Sequence, residues 1–154
     1  MREIYANQLW TANAREARDA AGLFAAEIPT VVDLAYEESP ALLPRQMAYC
    51  RFPVVDGAGN DPSLLRLALL TTVELLRCEV RTVVACSAGM SRSPTIAIGA
   101  LAVYLDQSPE TVLERANEQS AIDLHGALWI EVCEIVFGFR FSVFGFRFSV
   151  FGFR

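Results

Sequence analysis

A chain of 154 residues, 53% hydrophobic and 20% charged, has the length of one ordinary domain and the composition of a globular, not a disordered, protein. Its formal net charge of −5 argues against a general nucleic-acid binder. All 13 basic residues are arginine, which a genomic compositional bias explains without a function.

Residues 3–11, with Ile4, Leu9 and Trp10, predict one or two short edge strands. Asn13 is an N-cap candidate for an alanine-rich helix over about residues 14–26, with Glu16 in its first turn. The β-branched run from Ile28 to Leu34 reads as a buried strand. Residues 36–46 contain Pro40 and Pro44 and read as a loop, and Met47 to Phe52 is a strand stopped by Pro53. Asp56-Gly57-Ala58-Gly59-Asn60 is a turn-rich loop. Asp61-Pro62 then opens a helix to about Arg77, with Asp as N-cap and Pro in the first turn. Its Leu64, Leu65, Leu69, Val73 and Leu76 fall at helical spacing.

Arg81 to Ala85 is a further strand, and the helix from Ser93 to about Leu105 is apolar nearly all round, which implies burial on most sides. Ser108-Pro109-Glu110 opens another helix to about Gln119, and Leu124 to Val136 is the last. This alternation predicts an α/β fold, a mainly parallel twisted sheet of four to five strands flanked by helices. Ligands of such sheets bind at the carboxyl ends of strands. The Asp56 and Cys86 loops both follow strands and are expected to face one pocket.

Beyond residue 136 the chain changes character. Val136 to Ser142 repeats as residues 143–149, a third copy starts at Val150, and eight of the ten phenylalanines lie at or beyond Phe137. A seven-residue period flips the inward face of a strand between copies, and a glycine in each copy weakens a helix. The expected domain is therefore 1–136, with 137–154 a repetitive tail outside the core. It is either an appended repeat expansion or a sticky peptide that packs on the domain or a partner, and no chemistry is assigned to it.

The chemistry concentrates in Cys86-Ser87-Ala88-Gly89-Met90-Ser91-Arg92-Ser93. The strand-like Val83-Val84-Ala85 precedes it and a helix follows. Strand, tight loop and helix start together make a concave ring of N–H groups that stabilises an anion. A cysteine at the start of that ring and a guanidinium at its end make a phosphoryl-transfer site. Thiolates are favoured at helix N-termini and beside cations, and Cys86 has both the helix start and Arg92. The Arg92 fork can grip two phosphoryl oxygens. Gly89 lets the backbone turn where a side chain would block them. Ser93 can donate a hydrogen bond to the sulfur and make it a better leaving group. Ser87, Ala88, Met90 and Ser91 complete the phosphate-binding loop.

Val83 to Pro94 resembles the C-x5-R-S/T phosphate loop of the cysteine-dependent phosphatases. The wider pattern, over about residues 3–136, resembles their dual-specificity branch. Ile4 to Trp10 with Asn13 to Ala17 is similar to that branch's opening strand and helix, Val31 to Leu34 to its second strand, and Phe52 to Asp56 to the loop carrying its general acid. The resemblance implies that Cys86 is the nucleophile and that Asp56 protonates the leaving oxygen. Asp61 competes for that role, but helix capping already explains it. One position departs from the pattern: the family usually has histidine directly before the cysteine, where this chain has Ala85. That histidine helps order the loop and tune the thiolate. His125 lies too late in the chain to replace it and reads as a polar residue at a helix start.

The four cysteines, Cys50, Cys78, Cys86 and Cys133, form no CxxC pair or regular framework. Reduced thiols and a cytoplasmic location are expected, with no metal, no cofactor, no signal peptide and no membrane span. A reversible disulfide protecting Cys86 stays open as an alternative. Trp10 and Trp129 read as packing residues. The implied activity is hydrolysis of phosphate monoesters on a phosphorylated protein or peptide, phosphotyrosine first, phosphoserine and phosphothreonine next. Two alternatives remain: a phosphatase of a phosphoinositide, RNA 5′-triphosphate or metabolite, and a phosphate-binding module with little turnover. Lipid and RNA members favour basic residues in or beside the loop, which Ser87, Ala88, Met90 and Ser91 do not supply.

Overall fold

A computed structural model describes residues 1–119, 121, 122, 124 and 126–147. Five strands form one sheet in the order β1-β2-β5-β3-β4, with β1 Arg2–Tyr5, β2 Leu9–Asn13, β3 Thr30–Ala35, β4 Ala48–Val54 and β5 Thr82–Cys86. β2, β5, β3 and β4 run parallel, and β1 pairs antiparallel with β2. The sheet is thus the mainly parallel one expected from the alternation of elements. β2 is not an edge strand, since it lies between β1 and β5. β4 continues through Pro53 instead of stopping before it. It pairs only with β3, and an edge strand tolerates a residue with no N–H to give.

β5 is buried along its whole length because helices cover both faces. Its side chains alternate between two clusters. Val84 and Cys86 join the large one with Leu65, Leu69, Val73, Ile96, Ile98 and Val132. Val83 and Ala85 join the smaller one with Ala12, Ala17, Leu23, Ile28 and Val31. The smaller cluster lies under α1 (Ala14–Ala17) and α2 (Ala20–Ala25). The sequence predicted one helix here. The chain instead breaks at Arg18, and Asp19 starts a second helix by accepting the Gly22 N–H at 3.1 Å.

The other face carries α3 (Pro62–Arg77), α4 (Arg92–Leu105), α5 (Pro109–Gln119) and α6 (Ala127–Arg147). Every residue of α4 from Arg92 to Ala102 is buried, as its all-round apolar pattern predicted. Gly99 lets α3 and α6 close on it: a Cβ there would stand 2.6 Å from Val132 Cγ1 and 3.0 Å from Leu69 Cδ2.

α6 runs well past the expected helix end at Val136, so that boundary falls inside a helix. Phe139, in the first copy of the repeat, is 7% exposed and belongs to the large core cluster. The Arg66 guanidinium lies 4.3 Å from its ring centroid. Packing against α3 and α4 overrides the glycine penalty at Gly138, where nothing crowds the backbone. The predicted tail beyond Arg147 lies outside the described residues, as does His125.

Candidate active site

β5 delivers Cys86 as its last residue, and Arg92 opens α4, so the loop between them bridges a strand end and a helix start. The loop is braced on the end of β2. Asn13 stands opposite Cys86 in the sheet register, and the Ala14 N–H donates to Ser87 O at 3.2 Å. Gly89 has φ +76°, and a Cβ on it would lie 2.9 Å from both Ala12 C and Asn13 N. Only glycine satisfies both the left-handed backbone and the close approach.

That turn aims the Gly89 N–H at Cys86 Sγ, 3.2 Å away. Ser93 Oγ lies 3.4 Å from the same sulfur. Cys86, Arg92 and Ser93 are buried at the floor of the loop, whereas Met90 is exposed at its rim. Ala88 is exposed beside it.

Ser91 holds the N-cap position of α4 but makes no side-chain cap. Its hydroxyl donates instead to Asp56 Oδ1 at 2.8 Å. The two loops singled out in the sequence therefore meet. The Asn60 side chain accepts the Val55 N–H and donates to Val55 O and Gly57 O, which folds the segment behind Asp56. Asp61 accepts the Ser63 N–H at 2.8 Å and caps α3, the role its place before Pro62 suggested.

The guanidinium of Arg92 meets a residue that sequence reasoning missed. Glu37, on the loop after β3, accepts from Nη1 at 2.6 Å and from Nη2 at 2.5 Å. Nη1 also donates to Val54 O at 3.0 Å, and Nη2 to Ser87 Oγ at 3.1 Å. Ser87 Oγ in turn donates to Glu37 Oε1 at 2.6 Å. The hydrogen bonds from Arg92 and Ser87 hold the Glu37 carboxyl down at about 2, although burial opposes this. The bond to Glu37 raises Arg92, again against burial. The only signal in the sequence was an acidic pair, Glu37-Glu38, in a loop after a strand.

Ala85 is buried and pairs with Ala12 on one side and Asp33 on the other. Asp33 is closed off by Tyr49 Oη at 2.5 Å and the Ala35 N–H at 2.9 Å. Ala85 itself is 1% exposed and belongs to the smaller core cluster. All four cysteines are free thiols. Burial first, then Glu110, pushes the Cys133 thiol up to about 12, which makes it a neutral packing group. Trp10 packs on the smaller cluster and Trp129 on the larger. Among the described residues no group of three or more His, Cys, Asp or Glu could hold a metal ion, and no helix is long and apolar enough to cross a membrane.

A thiol, a guanidinium, three hydroxyls and two carboxylates thus converge on one loop at an uncapped helix start, an arrangement able to hold an oxyanion against a sulfur. The fold around it is that of the dual-specificity phosphatases. The structure of human DUSP28 is similar over 92% of this chain and 99% of that chain, with a TM-score of 0.78 and 17% identity. DUSP15 matches over 99% of this chain and 97% of its own, with a TM-score of 0.73 and 20% identity. PTPMT1 matches over 94% and 98%, with a TM-score of 0.70 and 16% identity; it has also been solved in complex with PI(5)P. No protein-family model and no curated protein sequence matches the chain.

Proposed function

We propose that the protein is a cysteine-dependent phosphatase acting on phosphate monoesters of phosphorylated proteins or peptides, phosphotyrosine first, phosphoserine and phosphothreonine next. The observation that carries this reading is the approach of Gly89 N–H and Ser93 Oγ to Cys86 Sγ on the loop that Arg92 and Asp56 also face. In the first step the Cys86 thiolate attacks phosphorus; the S–P bond forms as the ester P–O bond breaks. Asp56, as a carboxylic acid, gives its proton to the leaving oxygen, which departs as a phenol or alcohol. Arg92 and the loop N–H groups hold the oxygens where charge accumulates. In the second step water attacks the cysteinyl-phosphate and its proton passes to the Asp56 carboxylate. The S–P bond breaks, Ser93 stabilises the departing sulfur by a hydrogen bond, and inorganic phosphate leaves.

Protein substrates are preferred over polyanionic ones on charge. Ser87, Ala88, Met90 and Ser91 bring no basic side chain, and Glu37 and Asp56 bring negative charge to the same loop. Within Cys86–Ser93 a phosphoinositide or RNA 5′-triphosphate would find no cation other than Arg92. The test is turnover of p-nitrophenyl phosphate and of phosphotyrosine, phosphoserine and inositol-phosphate substrates by the parent and Cys86→Ser proteins. Loss of all turnover in Cys86→Ser, with unchanged circular dichroism, is expected. Undiminished turnover in that variant would remove the reading.

A further inference from the structure

Residues 36–46 contain no helix or strand, so their backbone polar groups need partners outside a regular ladder. From Ala35 to Ala41 side chains supply them. Arg51, on β4, donates from Nη2 to Ala35 O at 3.2 Å and to Glu38 O at 2.6 Å. Arg18, at the break between α1 and α2, donates to Glu38 Oε2 at 3.2 Å and to Ser39 O at 2.7 Å. Tyr49 Oη accepts the Ala41 N–H at 3.1 Å and donates to Asp33 Oδ2. Connecting segments usually move more than the elements they join, and this one is tied down at several points.

The two carbonyls that Arg51 grips lie on either side of Tyr36-Glu37, so one nitrogen closes the turn on which Glu37 stands. The Glu37 side chain is 53% exposed, and packing does not fix it. Its place depends on the backbone beneath it. We propose that Arg51 is a positioning residue for the reaction, which acts at a distance by holding the Tyr36-Glu37 turn so that the Glu37 carboxylate meets Arg92 and Ser87. The inference rests on the phosphatase reading of the Cys86 loop. Arg51 stands opposite Asp33 in the sheet and is half-buried. Both of its hydrogen bonds go to the turn and neither to the Cys86 loop, so its influence on the site passes through the turn. Both are charge-assisted, the stronger kind of hydrogen bond. A misplacement of about 1 Å, even from a change far from the chemistry, can cost about 10²-fold in rate. Releasing the turn lets Glu37 drift by such distances from Arg92.

The experiment is a double-mutant cycle on the full chain, read as kcat/KM for p-nitrophenyl phosphate with circular dichroism on each protein. Its corners are the parent, Arg51→Met, Glu37→Gln and the two together. Arg51→Met keeps the apolar stem and removes the donors. It should lower kcat/KM at least fivefold in the parent and less than twofold in the Glu37→Gln background, because the residue it positions is already lost there. Arg51→Lys is carried through the same cycle as a second variant that keeps the charge. Since both bonds leave from one nitrogen, an ammonium can restore part of them, and the loss should be smaller and again confined to the background that has Glu37. A general folding defect would lower kcat/KM by the same factor in both backgrounds. That equal factor, or undiminished kcat/KM in Arg51→Met, would overturn the proposal while the parent's activity stood. A parent that did not turn over the aryl ester would overturn the phosphatase reading and this inference with it.

Discussion

Ser91 sits at the start of α4, yet its hydroxyl hydrogen goes to Asp56, 2.8 Å away, and not to the helix. The first N–H groups of α4 are thereby left without a side-chain cap from Ser91, and the Asp56 loop is tied to the loop that carries the sulfur. The two aspartates near this contact should separate cleanly. Asp56→Asn should lower kcat by about 10²–10⁴-fold on an alkyl phosphate, whose leaving oxygen needs a proton, and by less on p-nitrophenyl phosphate. Asp61→Ala should keep kcat and lose about 1 kcal/mol of stability, the usual cost of an N-cap. Urea unfolding and steady-state rates on both variants check this. The reverse pattern would move the acid role to Asp61.

Gly89→Ala places a methyl group 2.9 Å from the backbone of Ala12 and Asn13 at a φ of +76°. The left-handed backbone alone costs about 1–2 kcal/mol in a residue with a side chain. The clash forces the loop off the end of β2. A lowered Tm together with loss of inorganic phosphate binding is expected; full phosphate affinity in this variant would contradict the brace described above.

The Glu37 carboxyl, held at about 2 by Arg92 and Ser87, stays ionised in the folded protein where the unfolded chain would take up a proton. Its stabilisation is complete above the ordinary carboxylate range and fades as pH falls from there towards 2. The Tm of Glu37→Gln should lie below that of the parent near neutral pH, and the gap should close on acidification. The gap should stay under about 1 kcal/mol, because more than half of the Glu37 side chain faces solvent. Thermal unfolding of both proteins across the acidic range checks this, and a gap independent of pH would be the contrary result.

Phe139→Ala should cost about 3 kcal/mol, since it removes a buried aromatic ring and the surface under Arg66. Ile130→Ala, on the same helix but 57% exposed, should change stability by about 0.5 kcal/mol or less. Equal, small effects at both positions would show that the first repeat copy does not contribute to the core.

How much of this was legible depended on distance along the chain. Cys86, Arg92 and Ser93 lie within one short loop, so spacing alone brought them together. Asp61 was readable because Pro62 follows it. Glu37 was not, because it lies 55 positions from Arg92 and nothing beside it in the chain marks it as a partner. The alanine-rich run after Asn13 hid the break at Asp19, whose cap outweighs the propensity of its neighbours. Strand alternation and glycine content both speak against order in the repeat. A seven-residue period that fails as a strand nearly matches two helical turns, drifting by only about 20° per copy. Burial of Phe139 then outweighed the local cost of Gly138.

The brace between Gly89 and the end of β2 also bears on how the site comes into being. The loop cannot take its shape from its own eight or so residues, since its wall is backbone from the start of the chain. β2 must first find its place between β1 and β5, a pairing of segments far apart in sequence, which is a slow kind of contact to form. Before that pairing the sulfur sits in an unsupported turn. Anion affinity should therefore arise together with the non-local sheet, late in folding, and phosphate in the refolding buffer should slow unfolding more than it speeds folding.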